Sequence, residues 1–571
     1  MDNPDRITYF AATDSRGKRV PFGIKSRDRD RHMYVIGKTG MGKSTLLENM
    51  AIQDIRNGEG LAFIDPHGSA VDALLEYIPE NRIQDVVYFA PFDMENPVAF
   101  NVMEDVGYDK RHLVVSGLMA TFKKIWVDAW SARMEYILSN TLLALLEYPD
   151  ATLMGVNRMY TDKAYRKKVV ENVKDPLVKD FWVKEFATYT DRYTQEATPA
   201  IQNKIGQFTS NPLIRNIIGQ PKSSFDIREA MDQKKIILIN LSKGLVGDTN
   251  MKLLGSMITT RIFLAAMSRA DLSAHDIAKL PNFYFYVDEF QNFANETFAE
   301  ILSEARKYKL NLIIAHQYVE QMEEEVRAAV FGNVGSTVSF RVGPFDAEVL
   351  ETVFSPEFMK EDIVNLGKTQ IYLSLMIDGV GSRPFSAVTI PPIEAPARTF
   401  RNEVLESSRR QFATPRETVE GLIFSELAAT ADIPPEPPAE KKRWDGQKKP
   451  APRRDVPPRA EPAPKRPEPT PKSADDLKAI LRSMSEGAKR EKQGEEKKHQ
   501  SGIKTALKEV IQGTELPERP RAKELPAHPR NKELPRSEQR QERRESAPRQ
   551  EGPQPFEVPE DTLRAIFKDN V

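Results

Sequence analysis

The sequence predicts an α/β protein with a mainly parallel sheet, and three observations indicate this fold class. Short β-branched and aromatic runs alternate with helical segments over residues 1–395, as in strand–helix–strand units. One long stretch among them shows only helical spacing. The last third of the chain is rich in proline and charge. We therefore expect an α/β domain, an inserted all-α domain and a disordered C-terminal tail.

The strands of the α/β domain are predicted from short apolar runs. In chain order they are MYVIG, GLAFIDP, DVVYFAP, KIILINL, FYFYVDE, NLIIAHQ, STVSFRV and QIYLSLM. Before them, ITYFAAT and VPFGIK flank the turn sequence DSRG and predict a β-hairpin. We assign residues 1–30 to this hairpin, residues 31–103 to the first part of the α/β domain and residues 229–395 to its second part.

Residues 104–228 lack strand signals. Segments such as RMEYILSNTLLALLEY and DPLVKDFWVKEF place apolar residues three and four positions apart, which is typical of packed amphipathic helices. The interpretation is an all-helical domain inserted into the α/β domain.

Residues 396–571 are predicted to form the disordered tail, and we expect the folded body to end near residues 395 to 430. More than half of the 41 prolines lie there, and this composition buries too little apolar surface to offset the entropy of ordering the chain. A nine-residue repeat runs through TELPERPRA, KELPAHPRN and KELPRSEQR. Three short amphipathic segments, DDLKAILRSM, GIKTALKEV and DTLRAIFKDN, are interpreted as docking helices for a partner rather than inert linker.

Composition excludes several classes of function. The chain has no cysteine, so disulfides, thiolate metal sites and cysteine catalysis are excluded. It contains no run of 18 apolar residues and no signal-peptide pattern, and we expect a cytoplasmic protein. The net charge of −1 conceals a basic tail and an acidic body, and an acidic body exerts no general electrostatic attraction on nucleic-acid phosphates.

The segment HMYVIGKTGMGKSTL contains a phosphate-binding turn. Its G-x-x-x-x-G-K-S pattern follows a predicted strand and precedes a predicted helix, which is the context that a P-loop requires and that a chance match would lack. In such a loop, backbone N–H groups and the lysine bind phosphates, and the hydroxyl binds Mg²⁺. We assign nucleotide contacts to Gly37, Lys38, Thr39, Gly40, Met41, Gly42, Lys43, Ser44 and Thr45, and expect ATP and Mg²⁺ as cofactors.

An acidic pair supplies the second half of the predicted site. The run FYFYVDE ends in Asp288 and Glu289, where one carboxylate can hold the metal and the next can activate water. We assign Asp288, with Ser44, to the metal and Glu289 as general base. The alternative is a solvated acidic pair that caps the following helix.

Several of these motifs together resemble one family. VDEFQNF, FAEILSEARKYKLNLIIAHQYVEQM, RHMYVIGKTGMGKSTL, GLAFIDPHG and FGNVGSTVSFRVGPFDAE are similar to sequences of the HerA/FtsK superfamily of ring ATPases, and more closely to the conjugative coupling proteins of type IV secretion. The resemblance covers about residues 5–395. It implies a RecA-like ATPase domain and a homo-hexamer around a central channel, which hydrolyses ATP between subunits and pumps DNA.

The resemblance also assigns three further catalytic residues. Gln317 matches the polar sensor of the γ-phosphate, and Arg306 matches an arginine supplied to the neighbouring subunit's nucleotide. Arg31 matches a second interface arginine, although it alternates with Arg27 and Arg29. Without the resemblance, Gln317 would be interpreted as a satisfied polar residue and Arg306 as a solvated arginine on a helix.

Three other residues in these motifs have weaker assignments. Asp65 and His67 follow the GLAFID strand, at the sheet edge where ligands collect, and we expect a supporting role. A buried, hydrogen-bonded His67 is a more plausible expectation than a metal ligand. Arg341 has no role beyond structure.

One departure from the family pattern affects localisation. Coupling proteins usually begin with transmembrane helices, whereas this sequence begins almost directly with the ATPase domain. Attachment to the inner face of the membrane would then come from a membrane-anchored partner or the secretion machinery, with the C-terminal tail as a candidate contact, or be absent.

Three functions stay open at this point. The first is a DNA-translocating ATPase for conjugative transfer or type IV secretion. The second is a HerA-like translocase in DNA processing and repair. The third is an ATP-gated docking protein of a secretion machine that moves no DNA.

Overall fold

The structure is a computed structural model that describes residues 3–14 and 17–428. The strands in this part of the chain are β1 (Ile7–Thr13), β2 (Pro21–Lys25), β3 (Met33–Ile36), β4 (Gly60–Asp65), β5 (Val86–Phe89), β6 (Ile236–Asn240), β7 (Phe283–Val287), β8 (Leu310–His316), β9 (Ser336–Ser339), β10 (Gln370–Ser374), β11 (Met376–Ile377), β12 (Val380–Gly381) and β13 (Phe385–Thr389).

Helices connect and cover these strands. They are α1 (Lys43–Arg56), α2 (Ser69–Leu75), α3 (Arg111–Ile125), α4 (Ala132–Leu146), α5 (Met154–Thr161), α6 (Lys163–Asn172), α7 (Pro176–Asp180), α8 (Asp191–Ala197), α9 (Pro199–Thr209), α10 (Pro212–Ile218), α11 (Ile227–Asp232), α12 (Lys243–Val246), α13 (Asp248–Met267), α14 (Ala274–Lys279), α15 (Glu296–Glu304), α16 (Glu324–Asn333), α17 (Pro344–Phe354), α18 (Lys360–Val364), α19 (Arg401–Phe412) and α20 (Arg416–Ala428).

The main sheet confirms the predicted fold class. Within the described residues its order is β2-β1-β13-β10-β9-β3-β8-β7-β4-β6-β5. The strands from β9 to β5 in this order are parallel to one another, whereas β2, β1, β13 and β10 extend the sheet with antiparallel pairs. All parallel strands therefore end at one edge, which collects the loops that follow β3, β4, β7 and β8.

The sheet separates two hydrophobic cores because successive side chains of a strand point to opposite faces. In β3, Met33 and Val35 join one core, and Tyr34 and Ile36 join the other. Helices α1 and α2 cover the first face, and α3 and α13 contribute to the core on the second. Burial on both faces explains why the parallel strands are almost continuously apolar in sequence.

The eight strand segments predicted from apolar runs all contain a strand, and the predicted hairpin forms from β1 and β2. Strand β13 was not predicted. Its sequence FSAVT is short and partly polar, and it is flanked by prolines. It is nevertheless a full member of the sheet because it pairs with both β1 and β10.

Between β5 and β6 the described chain contains helices and no strand. These helices pack against the α/β part through α3 and α13. A Cβ atom at Gly117 of α3 would lie 2.4 Å from the methyl group of Thr260 in α13, so glycine permits this close approach. The division at residues 104 and 228 into a separate inserted domain stays a prediction.

The tail boundary at residue 396 was too early, because α19 and α20 extend the described fold to residue 428, within the predicted range of 395 to 430. Val404 of α19 is fully buried, and Ser408 accepts a hydrogen bond of 2.8 Å from the Tyr88 amide of β5. Val419 and Ile423 of α20 are buried as well. The buried apolar residues of α19 and α20 are few and lie in a charged sequence, so composition did not predict these helices. The predicted docking segments lie outside the described residues.

In the described part of the chain, none of the helices has both the length and the apolar character needed to cross a bilayer.

Candidate functional site

The glycine-rich turn after β3 is anchored to two neighbouring strands through its backbone. The Gly37 amide donates to the His316 carbonyl at 3.2 Å, and the Lys38 amide donates to the Arg341 carbonyl at 2.9 Å. A Cβ atom at Gly37 would lie 2.5 Å from the Cβ atom of Phe340, so this position requires glycine. The turn is thus held by the ends of β8 and β9.

Helix α1 begins directly after this turn and presents its amino end to the site. Gly42 has a φ of 120°, and no side chain caps the helix, so the first N–H groups are available to an anion. The Lys43 ammonium donates to the Gly37 carbonyl at 2.7 Å and lies 4.0 Å from the Glu289 carboxylate. Burial lowers the pKa of Lys43, and Glu289 and Asp288 oppose this effect.

A cavity of about 640 Å³ opens beside the turn, a volume typical of small-molecule sites. Its walls come from the glycine-rich turn, from Glu289 and Gln317, and from Lys368, Thr369 and residues 388–392. The uncapped helix end and Lys43 therefore face a space large enough for a nucleotide, and this donor set fits a triphosphate.

The acidic pair lies at the end of β7, next to the start of α1. The Ser44 hydroxyl donates to the Asp288 carboxylate at 2.9 Å. The Glu289 backbone is left-handed, with φ 48° and ψ 49°, an uncommon conformation for a residue with a side chain. Its amide donates to the Asp288 carboxylate at 2.9 Å. The two adjacent carboxylates consequently have different partners.

Gln317 links Glu289 to the glycine-rich turn. Its side-chain amide donates to one Glu289 carboxylate oxygen, and its carbonyl oxygen accepts from the Thr39 hydroxyl at 3.0 Å. The other Glu289 oxygen accepts from the Gln291 amide at 2.7 Å. The predicted base therefore accepts hydrogen bonds from both Gln317 and Gln291. The contact with Gln317 depends on the glycine-rich turn, because Gln317 also bonds to Thr39 of that turn.

The oxygen atoms around Ser44 fit Mg²⁺. This ion prefers one or two carboxylates and hydroxyls together with phosphate and water oxygens, rather than a cage made only of protein. Ser44 and Asp288 offer such a pair. Among the described residues, no group of three His, Cys, Asp or Glu side chains could hold a metal by itself. A metal in this site would depend on the nucleotide for its remaining ligands.

Several carboxyl groups lie close to Asp288 and to one another. Burial, helped by Glu289 and Asp65, raises the pKa of Asp288 to about 6, against the effects of Ser44 and Lys43. Burial, with Asp65 and Asp288, likewise raises the pKa of Glu48 to about 7. A bound divalent cation would relieve this repulsion, because it adds the opposite charge at close range.

The structure does not bring Arg306 and Arg31 to the glycine-rich turn. Arg306 precedes β8 and Arg31 precedes β3, so both lie at the edge where parallel strands begin. They line a separate cavity of about 240 Å³ with Asp30, and the Arg306 Nε atom lies 3.4 Å from an Asp30 oxygen. Neither arginine serves the nucleotide cavity of its own chain, and the two lie close to each other.

Burial and ion pairing distinguish the three alternating arginines. The Arg29 guanidinium is buried, forms a double hydrogen bond with Asp54 at 2.7 and 2.8 Å, and stacks over the Tyr284 ring at 3.6 Å. It is unavailable to another subunit. Arg27 and Arg31 are both exposed, but Arg27 is paired with Asp5 and Asp378. This favours Arg31 as the interface residue of the three.

Asp65 and His67 have different environments. The Asp65 carboxylate accepts from the amides of His67 at 2.7 Å and Ala70 at 2.8 Å, so it stabilises the turn into α2. The expectation of a buried His67 was wrong, because its side chain is exposed and lines the nucleotide cavity. The tight turn held by Asp65 leaves His67 outside the core.

Two cations of the cavity wall were missed by sequence reasoning. Arg19 precedes β2 and Lys368 precedes β10, both far in sequence from the other site residues. They reach the cavity only through the antiparallel extension of the sheet. Neither lies in a recognisable motif, so sequence alone offered no signal for them.

Comparison with known proteins gives one family and several structures. The family model for the type IV secretion-system coupling protein DNA-binding domain matches residues 18–350. No curated protein matches the chain. The unbound bacterial conjugative coupling protein TrwBdeltaN70 is 14% identical, with coverage of 69% of this chain and 96% of its own, and a TM-score of 0.47.

Two further solved structures are similar to the same degree. The plasmid coupling protein TrwB in complex with ADP and Mg²⁺ is 16% identical, with coverage of 66% of this chain and 89% of its own, and a TM-score of 0.47. VirB4 of Thermoanaerobacter pseudethanolicus is 14% identical, with coverage of 71% and 99% and a TM-score of 0.47.

Proposed function

The chain belongs to the family of type IV secretion-system coupling protein DNA-binding domains, and from this membership we propose that it is an ATP-driven motor that moves DNA during conjugative transfer or type IV secretion. The observation that carries the proposal is the link from Thr39 through Gln317 to Glu289. It joins the phosphate-binding turn to the predicted base, as a site that hydrolyses a triphosphate requires.

Each residue of the cavity has a defined task in this proposal. The backbone N–H groups of residues 37–45 and the Lys43 ammonium bind and orient the phosphates. Ser44 and Asp288 hold Mg²⁺, which neutralises charge on the phosphates when bound. Glu289 accepts a proton from the attacking water, and Gln317 responds to the γ-phosphate through its contact with Thr39.

The base is suited to this task because of its position. Glu289 lies 4.0 Å from Lys43 and accepts hydrogen bonds from Gln317 and Gln291. These contacts hold the carboxylate in a fixed position, which a proton acceptor needs. The adjacent Asp288 turns towards Ser44 instead, so the two acidic groups divide metal binding and proton transfer between them.

Hydrolysis is proposed to take place between subunits of a homo-hexamer. Arg306 and Arg31 lie at the opposite edge of the sheet from their own Lys43, and they are exposed. An arginine that stabilises the transferring phosphoryl group must come within contact distance of it. In a ring, the edge that carries these arginines would face the nucleotide cavity of the next subunit, as a head-to-tail interface requires.

DNA is the proposed cargo, and the secretion machinery or a membrane-anchored partner is the proposed destination. The C-terminal tail is the proposed contact with that partner, at the cytoplasmic side of the membrane. Two alternatives use the same residues. A HerA-like repair translocase would also move DNA, whereas an ATP-gated docking protein would not.

The test is the ATPase rate of the full chain with double-stranded DNA, with single-stranded DNA and without DNA. A motor is expected to hydrolyse ATP faster with DNA, because DNA engagement and hydrolysis are coupled. A rate that is the same under all three conditions would contradict DNA translocation and favour the docking protein. Added secretion-system partners that raise the rate further would favour secretion over repair.

A further inference from the structure

The turn that follows the acidic pair, residues 290–294, is hydrogen-bonded to one lysine of the helical segment, which is the strand-free stretch between β5 and β6. Lys124, near the carboxyl end of α3, donates hydrogen bonds to the carbonyls of Gln291, at 2.7 Å, and Ala294. The turn contains the short 3-10 helix Phe290–Asn292, and carbonyls at the end of a helix lack partners in the helix itself. An ammonium group, with three donors, can satisfy two of them at once.

The same turn contacts the Glu289 carboxylate. The Gln291 side-chain amide donates to Glu289 Oε2 at 2.7 Å, and the Asn292 side chain donates to the Glu289 carbonyl at 3.0 Å. A path of two hydrogen bonds therefore runs from Lys124 through Gln291 to Glu289. This path joins α3 of the helical segment to the predicted base, Glu289.

Packing around the turn leaves it little freedom to move independently. The ring of Phe293 lies so close to Gly255 of α13 that a Cβ atom there would be 2.1 Å from it. The Ser256 hydroxyl donates to the Phe293 carbonyl at 3.3 Å. A shift of α3 relative to α13 would consequently change the position of the turn, since both helices hold it.

Lys124 occupies a position that is costly for a cation. Burial lowers its pKa to about 8, with Lys252 adding to the decrease and Glu323 opposing it. The charge of Lys124 also contributes to the low pKa of His316. A partly buried ammonium is tolerated when its donors are satisfied, and here the partners of Lys124 are the turn carbonyls.

We propose that Lys124 is a positioning residue that couples the helical segment to Glu289, so that DNA acting on that segment changes the rate of ATP hydrolysis. The inference rests on the proposed function and identifies its regulation. A helix cap that only stabilised the fold would affect unfolding without a selective effect on the chemical step.

The test compares Lys124→Met with Lys124→Arg and with Lys167→Met, a matched change of an exposed lysine on α6. ATPase kinetics of the full chain are measured with and without double-stranded DNA, beside the thermal midpoint. We expect Lys124→Met to lower kcat roughly 10-fold, as loss of a supporting contact does elsewhere, with KM changed by less than about twofold and with stimulation by DNA lost. Lys124→Arg should recover most of kcat, and Lys167→Met should behave as the wild type.

A second variant, Gln291→Met, cuts the path at its other end and leaves Lys124 in place. The double variant should lose no more than the single variants, because both changes interrupt one path. Additive losses would overturn the inference, as would wild-type kcat and DNA stimulation in Lys124→Met. If Lys124→Met does not fold, an unchanged kcat in Gln291→Met would overturn it.

The outcomes separate this inference from the proposed function. A wild-type chain that hydrolyses no ATP would contradict both the proposed function and the coupling through Lys124. A wild-type chain stimulated by DNA, together with an equally stimulated Lys124→Met, would remove only the coupling through Lys124.

Discussion

Arg306 lies 3.4 Å from Asp30, measured from Nε to a carboxylate oxygen, at the edge of the sheet where the parallel strands begin. Lys43 and Glu289 lie at the opposite edge, where these strands end. The length of the parallel strands separates Arg306 from the nucleotide cavity of its own chain. A catalytic role for Arg306 therefore requires a second copy of the chain.

Mixing two inactive variants tests this arrangement. Glu289→Gln lacks the base and Arg306→Ala lacks the arginine, and we expect each alone to hydrolyse ATP poorly. In a mixed ring about a quarter of the interfaces would combine an intact base with an intact arginine from the neighbour. The ATPase rate of the equal mixture should therefore exceed that of either variant. A mixture no more active than its components would show that Arg306 is not supplied between subunits.

The buried pair of Arg29 and Asp54 is expected to be important for stability. Their side chains are 2% and 1% exposed, and Asp54→Ala would leave a buried guanidinium without its carboxylate. We expect a loss of about 3–5 kcal/mol in the free energy of unfolding, measured in urea. Asp378→Asn, which weakens exposed pairs with Lys25 and Arg27, should cost less than about 1 kcal/mol. Equal losses would contradict the assignment of Arg29 to the core.

His32 should make the fold less stable in acid. Burial, with a contribution from Arg306, lowers its pKa from 6.5 to about 4, and its Nδ1 atom accepts from the Leu312 amide at 3.1 Å. Below pH 6.5 the unfolded chain binds a proton that the folded chain does not, so stability falls as pH decreases from 6.5 towards 4. At about 1.4 kcal/mol per pKa unit, the loss reaches roughly 3 kcal/mol.

The variant His32→Asn isolates this effect. Asparagine retains an oxygen that can accept the hydrogen bond from the Leu312 amide, but it does not titrate. Unfolding in urea between pH 4 and 6.5 should depend less on pH than in the wild type. The same decrease in pH dependence after His112→Gln, a change at an exposed histidine, would contradict the assignment to His32.

Truncation distinguishes the folded helices at the end of the described chain from the tail. A chain that ends at residue 428 should retain the thermal midpoint and the ATPase rate without DNA. A chain that ends at residue 395 loses the buried side chains of Val404, Val419 and Ile423, each contributing about 1.5 kcal/mol or more, and should unfold at a lower temperature. Loss of ATPase activity on removing residues 429–571 alone would contradict the proposed role of the tail as a partner contact.

The core of the site was accessible from sequence because it follows from strand ends. Lys43, Asp288 and Gln317 each come shortly after a strongly apolar run, and parallel strands bring such positions to one edge. The apolar runs were readable because these strands are buried on both faces. The resemblance to a family then suggested the roles, and those roles stay proposals.

The features missed from sequence depend on contacts between distant segments. Lys124 is one of many lysines in a helical segment, and only the fold shows that it is partly buried and hydrogen-bonded to the turn after Glu289. Strand β13 and helices α19 and α20 lie in polar or proline-rich sequence, and a few buried residues hold them in place. The choice of Arg31 over Arg29 likewise required knowledge of burial, since alternating arginines look alike in sequence.

The most direct test of the account is Glu289→Gln, measured for nucleotide binding and for DNA-stimulated hydrolysis in the same preparation. Glu80→Gln, the same change at an exposed position, is the matched control. We predict that Glu289→Gln binds ATP with Mg²⁺ about as tightly as the wild type but loses hydrolysis with and without DNA by a factor of 100 or more, roughly the scale of general-base catalysis. Hydrolysis that persists in Glu289→Gln near the wild-type rate would contradict the central claim that this carboxylate activates the water.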